Sequence, residues 1–417
     1  MARRLVAVAL LGLTLTLAPS AGSSLAPPIL GAQSVLVVPV TWGPEPFTRD
    51  EIQHVVFDET DAFYRASSYG KAWLTGTVTP WLEAFPGPLT CSLPLIRSAG
   101  AAAAKSAGYE PAAYERVIYI HPSADCPWSG VTQANTVFLD GSLSRKLVAH
   151  ELGHAFGLPH ANSTSCRRHG CAAVEYGDPY DTMGQGTGDF SAYAKFSLGW
   201  LTHVTRATVG GVYRLDPIER SSSRPQALVV TTARDQYWIE DRTVAPLTDQ
   251  GETPGAAGLL VHVSASPDLD RAAGGGDALV NVLVDDPAGK KRPELRTGDR
   301  FTRTGAFSLT ALRPSGSGAR LRFRWTDAVP PRRPRFTVAV VGGKMQVTVQ
   351  DARDSGSGLA RYRVTVDSGA AQRLAGDATE APVVVGRPLP GTHTVKIVAI
   401  DRAGNRSAPA VRQVRVQ

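Results

Sequence analysis

The sequence predicts an α+β domain, built on a mixed sheet with one motif-bearing helix, followed by two all-β domains. Three observations predict this. Strand-like apolar runs alternate with helical spacing over the first half of the chain. After Trp200 such runs follow one another, separated only by Gly, Pro and Asp clusters. A Pro/Arg segment at residues 329–334 then divides the second half into two. A chain of 417 residues also exceeds what one hydrophobic core supports.

Arg3 and Arg4 precede an uncharged apolar run at residues 5–17, and Ala18-Pro19-Ser20-Ala21 supplies small residues suited to cleavage. The run is too short to span a bilayer, so residues 1–26 read as a secretory signal peptide. No later stretch approaches membrane-spanning length. The mature protein is therefore expected to be secreted and extracellular, without an integral membrane segment, and monomeric.

The first domain is expected over residues 27–202. Residues 34–40 read as a buried strand, and 48–66 as a helix with Ile52, Val55, Val56, Phe57, Phe63 and Tyr64 on its apolar face. Strands are expected at 72–78 and 116–120, a helix at 101–107, and a short edge strand at 137–139. A helix from about Ser142 carries the motif described below. The β-rich second domain, residues 203–328, holds strand candidates at 227–230, 237–240 and 258–263. Beyond the linker at 329–334, residues 335–417 show about seven short strands at sandwich spacing, one of the last at 394–400. The turns at 354–359 and 401–405 resemble those of bacterial immunoglobulin-like or fibronectin type III-like modules, which implies a β-sandwich there.

The net charge of +7 is scattered over the chain with no long Lys/Arg run, which reads as a solvated basic surface and argues against a nucleic-acid partner. The four cysteines, Cys91, Cys126, Cys166 and Cys171, are an even number in an exported chain and favour two disulfides. Three pairings exist; Cys91–Cys126 with Cys166–Cys171 is preferred because the second closes a short local loop. No C-x-x-C pair points to cysteine-bound zinc.

The stretch that carries chemistry is His150-Glu151-Leu152-Gly153-His154-Ala155-Phe156-Gly157-Leu158-Pro159-His160. Residues four apart share a helix face, so His150 and His154 can aim two imidazoles at one metal. Glu151 is placed to reach a water at that metal. Gly157 can adopt a left-handed conformation and end the helix, after which His160 can return as a third ligand. Three protein ligands leave a fourth position open, the arrangement of catalytic zinc. The remaining histidines, His54, His121, His169, His203, His262 and His393, have no ligand spacing and read as solvated or internally bonded. Calcium is a weaker candidate ion, at Asp285, Asp286 and Asp299.

The pattern H-E-x-x-H-x-x-G-x-x-H resembles the metzincin signature, which implies a metzincin-type catalytic domain with a methionine turn downstream. Tyr180-Asp181-Thr182-Met183-Gly184 supplies the methionine, Met183, as structural support beneath the site. Within the metzincins, residues 175–184 and 194–201 look most like the gametolysin family of extracellular metallopeptidases, with weaker similarity across residues 34–325. The resemblance implies a zinc endopeptidase acting on protein or peptide substrates, extracellular or cell-wall, with Glu151 as general base. No Tyr closely follows Met183; Tyr176 and Tyr180 could approach the site, with stacking the favoured role.

Two other readings compete. A catalytically inactive secreted binding or adhesion protein on a protease scaffold would have lost Glu151 or a ligand, and all are present. Polysaccharide binding by the last domain would call for an aromatic platform, and Tyr362 stands nearly alone there.

Overall fold

A computed structural model describes the chain from residue 27 to 417 except residues 86, 88–90, 168–169, 244–256, 266–279, 284–293, 315–317 and 379–381; for 165–167, 170–173, 265, 280–283 and 351 it describes the backbone alone. The expected signal segment, Asp285, Asp286 and His169 lie outside the described residues. No helix among the described residues is long and apolar enough to cross a membrane.

The first region is a mixed sheet with helices on both faces. Strands β1 (Gly31–Thr41), β2 (Ala72–Val78), β3 (Leu82–Glu83), β4 (Arg116–His121), β5 (Gly130–Gln133) and β6 (Thr136–Asp140) assemble in the order β2-β1-β4-β6-β5, with β3 added beside β1. All pairings are parallel except β5 with β6. Parallel strands are covered on both sides. In β1, Val35 and Val37 face one core, while Leu36, Val38 and Val40 face the other. The first core is closed by α1 (Arg49–Gln53), a π-helical turn (His54–Thr60), α2 (Asp61–Ser67) and α4 (Arg145–Ala155); the second by α3 (Leu93–Ser106).

The helix expected at 48–66 starts where its sequence says. Thr48 caps α1, its hydroxyl accepting from Glu51 N at 3.2 Å while Glu51 accepts from Thr48 N at 2.7 Å. Helix α3 begins eight residues earlier than expected, because Pro94 sits in the first turn, where no amide proton is needed. The strand at 137–139 is not an edge: β5 covers it. With Gly130 and two polar residues among its four, β5 has too little apolar pattern to be read from sequence. One disulfide joins Cys91 to Cys126. Cys166 and Cys171 sit opposite each other in the ladder between β7 (Ala161–Arg167) and β8 (Gly170–Val174); their side chains lie outside the description.

The second region adds α5 (Ala192–Ser197) and strands β9 (Val204–Arg206), β10 (Gly211–Leu215), β11 (Ala227–Thr231), β12 (Asp235–Arg242), β13 (Gly258–Ala265), β14 (Val280–Leu283), β15 (Arg300–Arg303), β16 (Phe307–Leu312) and β17 (Ala319–Trp325). They form a sheet β8-β7-β14-β13-β12-β11-β9 and a second sheet β10-β17-β16-β15. The two share a core of Leu228, Tyr237, Ile239, Phe307, Leu321 and Phe323. Strand β7, which directly follows His160, pairs in parallel with β14 from Ala161↔Val280 to Thr164↔Leu283. The seven-stranded sheet thus straddles residue 202, and its other face packs Val229 and Trp238 against Ala192, Tyr193 and Phe196.

Among the described residues the last region has seven strands, β18 (Arg335–Val341), β19 (Lys344–Asp351), β20 (Leu359–Val366), β21 (Gln372–Ala375), β22 (Val383–Gly386), β23 (Gly391–Asp401) and β24 (Ala410–Val416). They form sheets β18-β19-β22 and β21-β20-β23-β24 around one core that includes Phe336, Val347, Tyr362 and Ile397. Asp327, just before the Pro/Arg segment, accepts from Ser357 N and Ser357 Oγ, both at 2.7 Å, and pins this region to the one before it.

Candidate metal centre

Ser144 caps α4, its hydroxyl accepting from Leu147 N at 3.2 Å. Val148, Ala149 and Leu152 face the core and set the rotation of the helix, leaving His150 and His154 together on the flank. The helix ends in a Schellman motif: Gly157 N donates to His154 O at 2.8 Å and Leu158 N to Gly153 O at 2.9 Å. Gly157 sits at φ +94°, a backbone angle that only glycine adopts freely. The reversal returns His160 to the helix flank, and one nitrogen from each of His150, His154 and His160 lies within 4.8 Å of the others.

The outer nitrogens of the three rings are all committed. His150 Nδ1 faces Thr182 O at 2.9 Å, His154 Nδ1 faces Leu158 O at 2.8 Å, and His160 Nδ1 faces Glu175 Oε1 at 2.9 Å. Each partner only accepts, so each Nδ1 carries a proton, and in the neutral ring Nε2 then presents a lone pair. Yet His150 Nε2 and His154 Nε2 lie 3.1 Å apart. Two lone pairs facing each other repel unless a cation lies between them. The spacing is close to the separation of about 3.3 Å that two nitrogens take around a tetrahedral ion with bonds of about 2.0–2.1 Å. Three neutral imidazoles, each steadied through its second nitrogen, fit a divalent ion such as zinc. Burial, with the neighbouring His154 and His160 adding to it, pulls the His150 pKa down to about 3, so this ring is uncharged at neutral pH.

Glu151 is 4% exposed and does not join the histidine cluster. Its carboxylate accepts from Thr132 Oγ1 at 2.6 Å; the same hydroxyl lies 2.9 Å from Glu151 O. Burial pushes its pKa up to about 7, against the opposing pull of the Thr132 hydrogen bond. A cavity of about 470 Å³ opens here, lined among others by Trp128, Leu147, His150, Glu151 and Tyr176. The Tyr176 ring packs against His160 with centroids 3.9 Å apart and the planes tilted by 41°. Tyr180 is instead buried, its hydroxyl 3.3 Å from Glu294 Oε2.

Met183 packs under α4: a Cβ on Gly153 would collide with Met183 Sδ. The turn that carries it is organised by two carboxylates. Asp178 Oδ1 accepts from Tyr180 N at 2.8 Å, and Asp181 Oδ1 accepts from Met183 N at 2.8 Å. The turn presents Thr182 O to His150, while Met183 O accepts from Ala161 N at 2.9 Å, beside His160.

Sequence reasoning missed Thr132, Glu175, Asp178 and His262 as contributors to this centre. Glu175 and Asp178 lie in the stretch that resembles the gametolysins, but nothing in their spacing announces a role. Thr132 and His262 carry no sequence signal. His262 is fully buried, its Nε2 2.9 Å from Asp178 Oδ2; His121 is also buried, with Nδ1 2.9 Å from Pro122 O. His54 and His203 are exposed. Asp299 accepts from Arg296 N at 2.9 Å and belongs to no cluster of metal-type ligands among the described residues. The second such cluster, Asp327, Asp354 and Asp401, sits at the junction with the last region.

Among solved structures, the chain is similar to the spore cortex lytic enzyme SleM of Clostridium perfringens at 16% identity and TM-score 0.20, over 28% of this chain and 40% of that one. It is similar to OgpA from Akkermansia muciniphila at 10% identity and TM-score 0.23, over 95% of this chain and 96% of that one. It is also similar to the fibronectin(III)-like modules of Clostridium thermocellum CbhA at 13% identity and TM-score 0.15, over 52% of this chain and 89% of that one. Likenesses of this size carry nothing about activity. No curated protein matches the chain. The model of the family described as gametolysin peptidase M11 matches residues 45–238, a span that holds all three histidines, Glu151 and Met183. The match covers slightly under half of the chain; that segment is similar to the gametolysin peptidases, which supports a metallopeptidase.

Proposed function

We propose that this protein is a secreted zinc-dependent endopeptidase that cleaves extracellular or cell-wall proteins, with His150, His154 and His160 as the ligands and Glu151 as the general base. The observation that carries the reading is the convergence of three imidazoles, with His150 Nε2 and His154 Nε2 3.1 Å apart, beside the buried Glu151 carboxylate. Zinc held there would polarise the scissile carbonyl and bring the pKa of a water towards about 7. Glu151 would take that water's proton and later return it to the departing amine; burial raises its carboxyl to about 7, where both directions are open near neutral pH. Thr132 holds the carboxylate through its hydroxyl, and the backbone carbonyls of Thr182 and Leu158, with Glu175, hold the three rings.

The test is casein cleavage by the purified mature chain beside Glu151→Ala, with metal content measured on both. Both should carry about one zinc per molecule, and only the wild type should cut. A wild type that holds no zinc sinks the reading. Zinc without cleavage of any unfolded protein favours the inactive binding protein instead.

A further inference from the structure

We propose that His262, on β13 of the second region, is a positioning residue for the metal centre, holding Asp178 and through it the turn that orients His150. The proposal rests on the three-histidine reading above.

His262 is 0% exposed. Its Nε2 lies 2.9 Å from Asp178 Oδ2, and its Nδ1 faces Glu240 Oε2 on β12 at 3.7 Å. Asp178 is also fully buried, and its second oxygen is spent on the turn: Oδ1 accepts from Tyr180 N at 2.8 Å and from Asp181 N at 3.3 Å. The Asp178 backbone closes the same loop, its carbonyl accepting from Gln185 N at 2.8 Å and its amide donating to Ala161 O at 3.2 Å. Within that loop Thr182 O receives His150 Nδ1, and Ala161 directly follows His160. One carboxylate therefore links a strand of the second region to the acceptor that fixes the tautomer and tilt of one histidine, and to the chain beside another.

The surroundings of His262 favour its protonated form. Burial alone would strip the His262 proton, but Glu240 and Asp178 outweigh it and raise the pKa above the usual imidazole value. His262 and Asp178 are both fully buried, so the 2.9 Å contact between them is shielded from water. The groups around the ring also include Arg242, whose guanidinium pairs with Glu240 Oε1 at 2.6 Å and works against the protonated form. The second region is in this sense part of the metal centre, consistent with the direct pairing of β7 with β14.

The experiment measures zinc affinity by competition with a fluorescent chelator, together with kcat and KM on a peptide, for wild type, His262→Gln, Asp178→Asn and the double variant. Each single variant should bind zinc about tenfold more weakly, the lower end of what outer partners of metal-binding histidines contribute. It should lose kcat with little change in KM. The double variant should be no worse than the weaker single, since both act on one link. Asp178→Asn keeps an oxygen for Tyr180 N and Asp181 N, so it reports on the link even where His262→Gln fails to fold. Single variants that lose thermal stability yet keep wild-type zinc affinity and kcat overturn the proposal and leave His262 a packing residue. A wild type without zinc overturns the underlying site instead, a distinguishable failure.

Discussion

The hydroxyl of Thr132, on the edge strand β5, lies 2.6 Å from the Glu151 carboxylate and donates to it. The edge of the sheet thus reaches the base on the helix. This hydrogen bond favours the charged form and opposes the rise that burial causes, which together leave the pKa at about 7. Thr132→Val removes it, so the Glu151 pKa rises and the acid limb of the kcat/KM profile moves to higher pH. A hydrogen bond to a charged group contributes about 1.5–3 kcal/mol, so activity at pH 6 should fall roughly tenfold or more, with less loss at pH 8. An unshifted limb would show that Glu151 does not set it.

Gly153 is where α4 rests on Met183, with no room for a Cβ. Gly153→Ala should lower stability by about 1–3 kcal/mol through overpacking and weaken zinc binding, because displacing Met183 disturbs Thr182. Urea melts and chelator competition measure the two effects. Wild-type values in both would mean that Met183 yields without cost.

The Cys91–Cys126 bridge closes 35 residues of chain. Chain entropy alone assigns such a loop about 3–4 kcal/mol. The double variant Cys91→Ser/Cys126→Ser should unfold at correspondingly lower urea, and wild type treated with reductant should match it. A loss below about 1 kcal/mol would point to a denatured state already compact across this loop.

Asp241 is 6% exposed and accepts from Ala319 N at 2.9 Å. Burial, reinforced by Glu219 and Asp216, pushes its pKa up to about 6. Between its unfolded value, about 3.9, and that raised value, the folded state holds a proton that the unfolded chain has lost. Stability from this group is therefore present at low pH and lost as pH rises through about 6. Asp241→Asn keeps an acceptor for Ala319 N and cannot ionise. It should raise Tm at pH 7.5 by more than it does at pH 4. The reverse order would show a carboxylate that is better paired than its surroundings imply.

Sequence patterns alone located β1, β2 and β4, the helix that starts at Thr48, and one strand of the last region, 394–400, with an expected number of about seven there. Each carries a local period or a local cap: alternation in β1 sends Val35 and Leu36 to opposite cores, and the Thr48–Glu51 box is written within four residues. The three histidines and Gly157 were legible for the same reason. Their spacing is a helix turn plus a left-handed stop, both properties of a short stretch of chain. What only the tertiary structure decided was the surroundings. Strand β5 has no period of its own and exists because β6 offers an open edge. Thr132 lies 19 residues from Glu151, and His262 lies 84 from Asp178, so no local pattern could pair them. The sheet that crosses residue 202 was equally hidden, since pairing β7 with β14 depends on closing a long loop and not on either strand alone. Donor atoms are a matter of local geometry; how firmly they are held depends on contacts between distant parts of the chain.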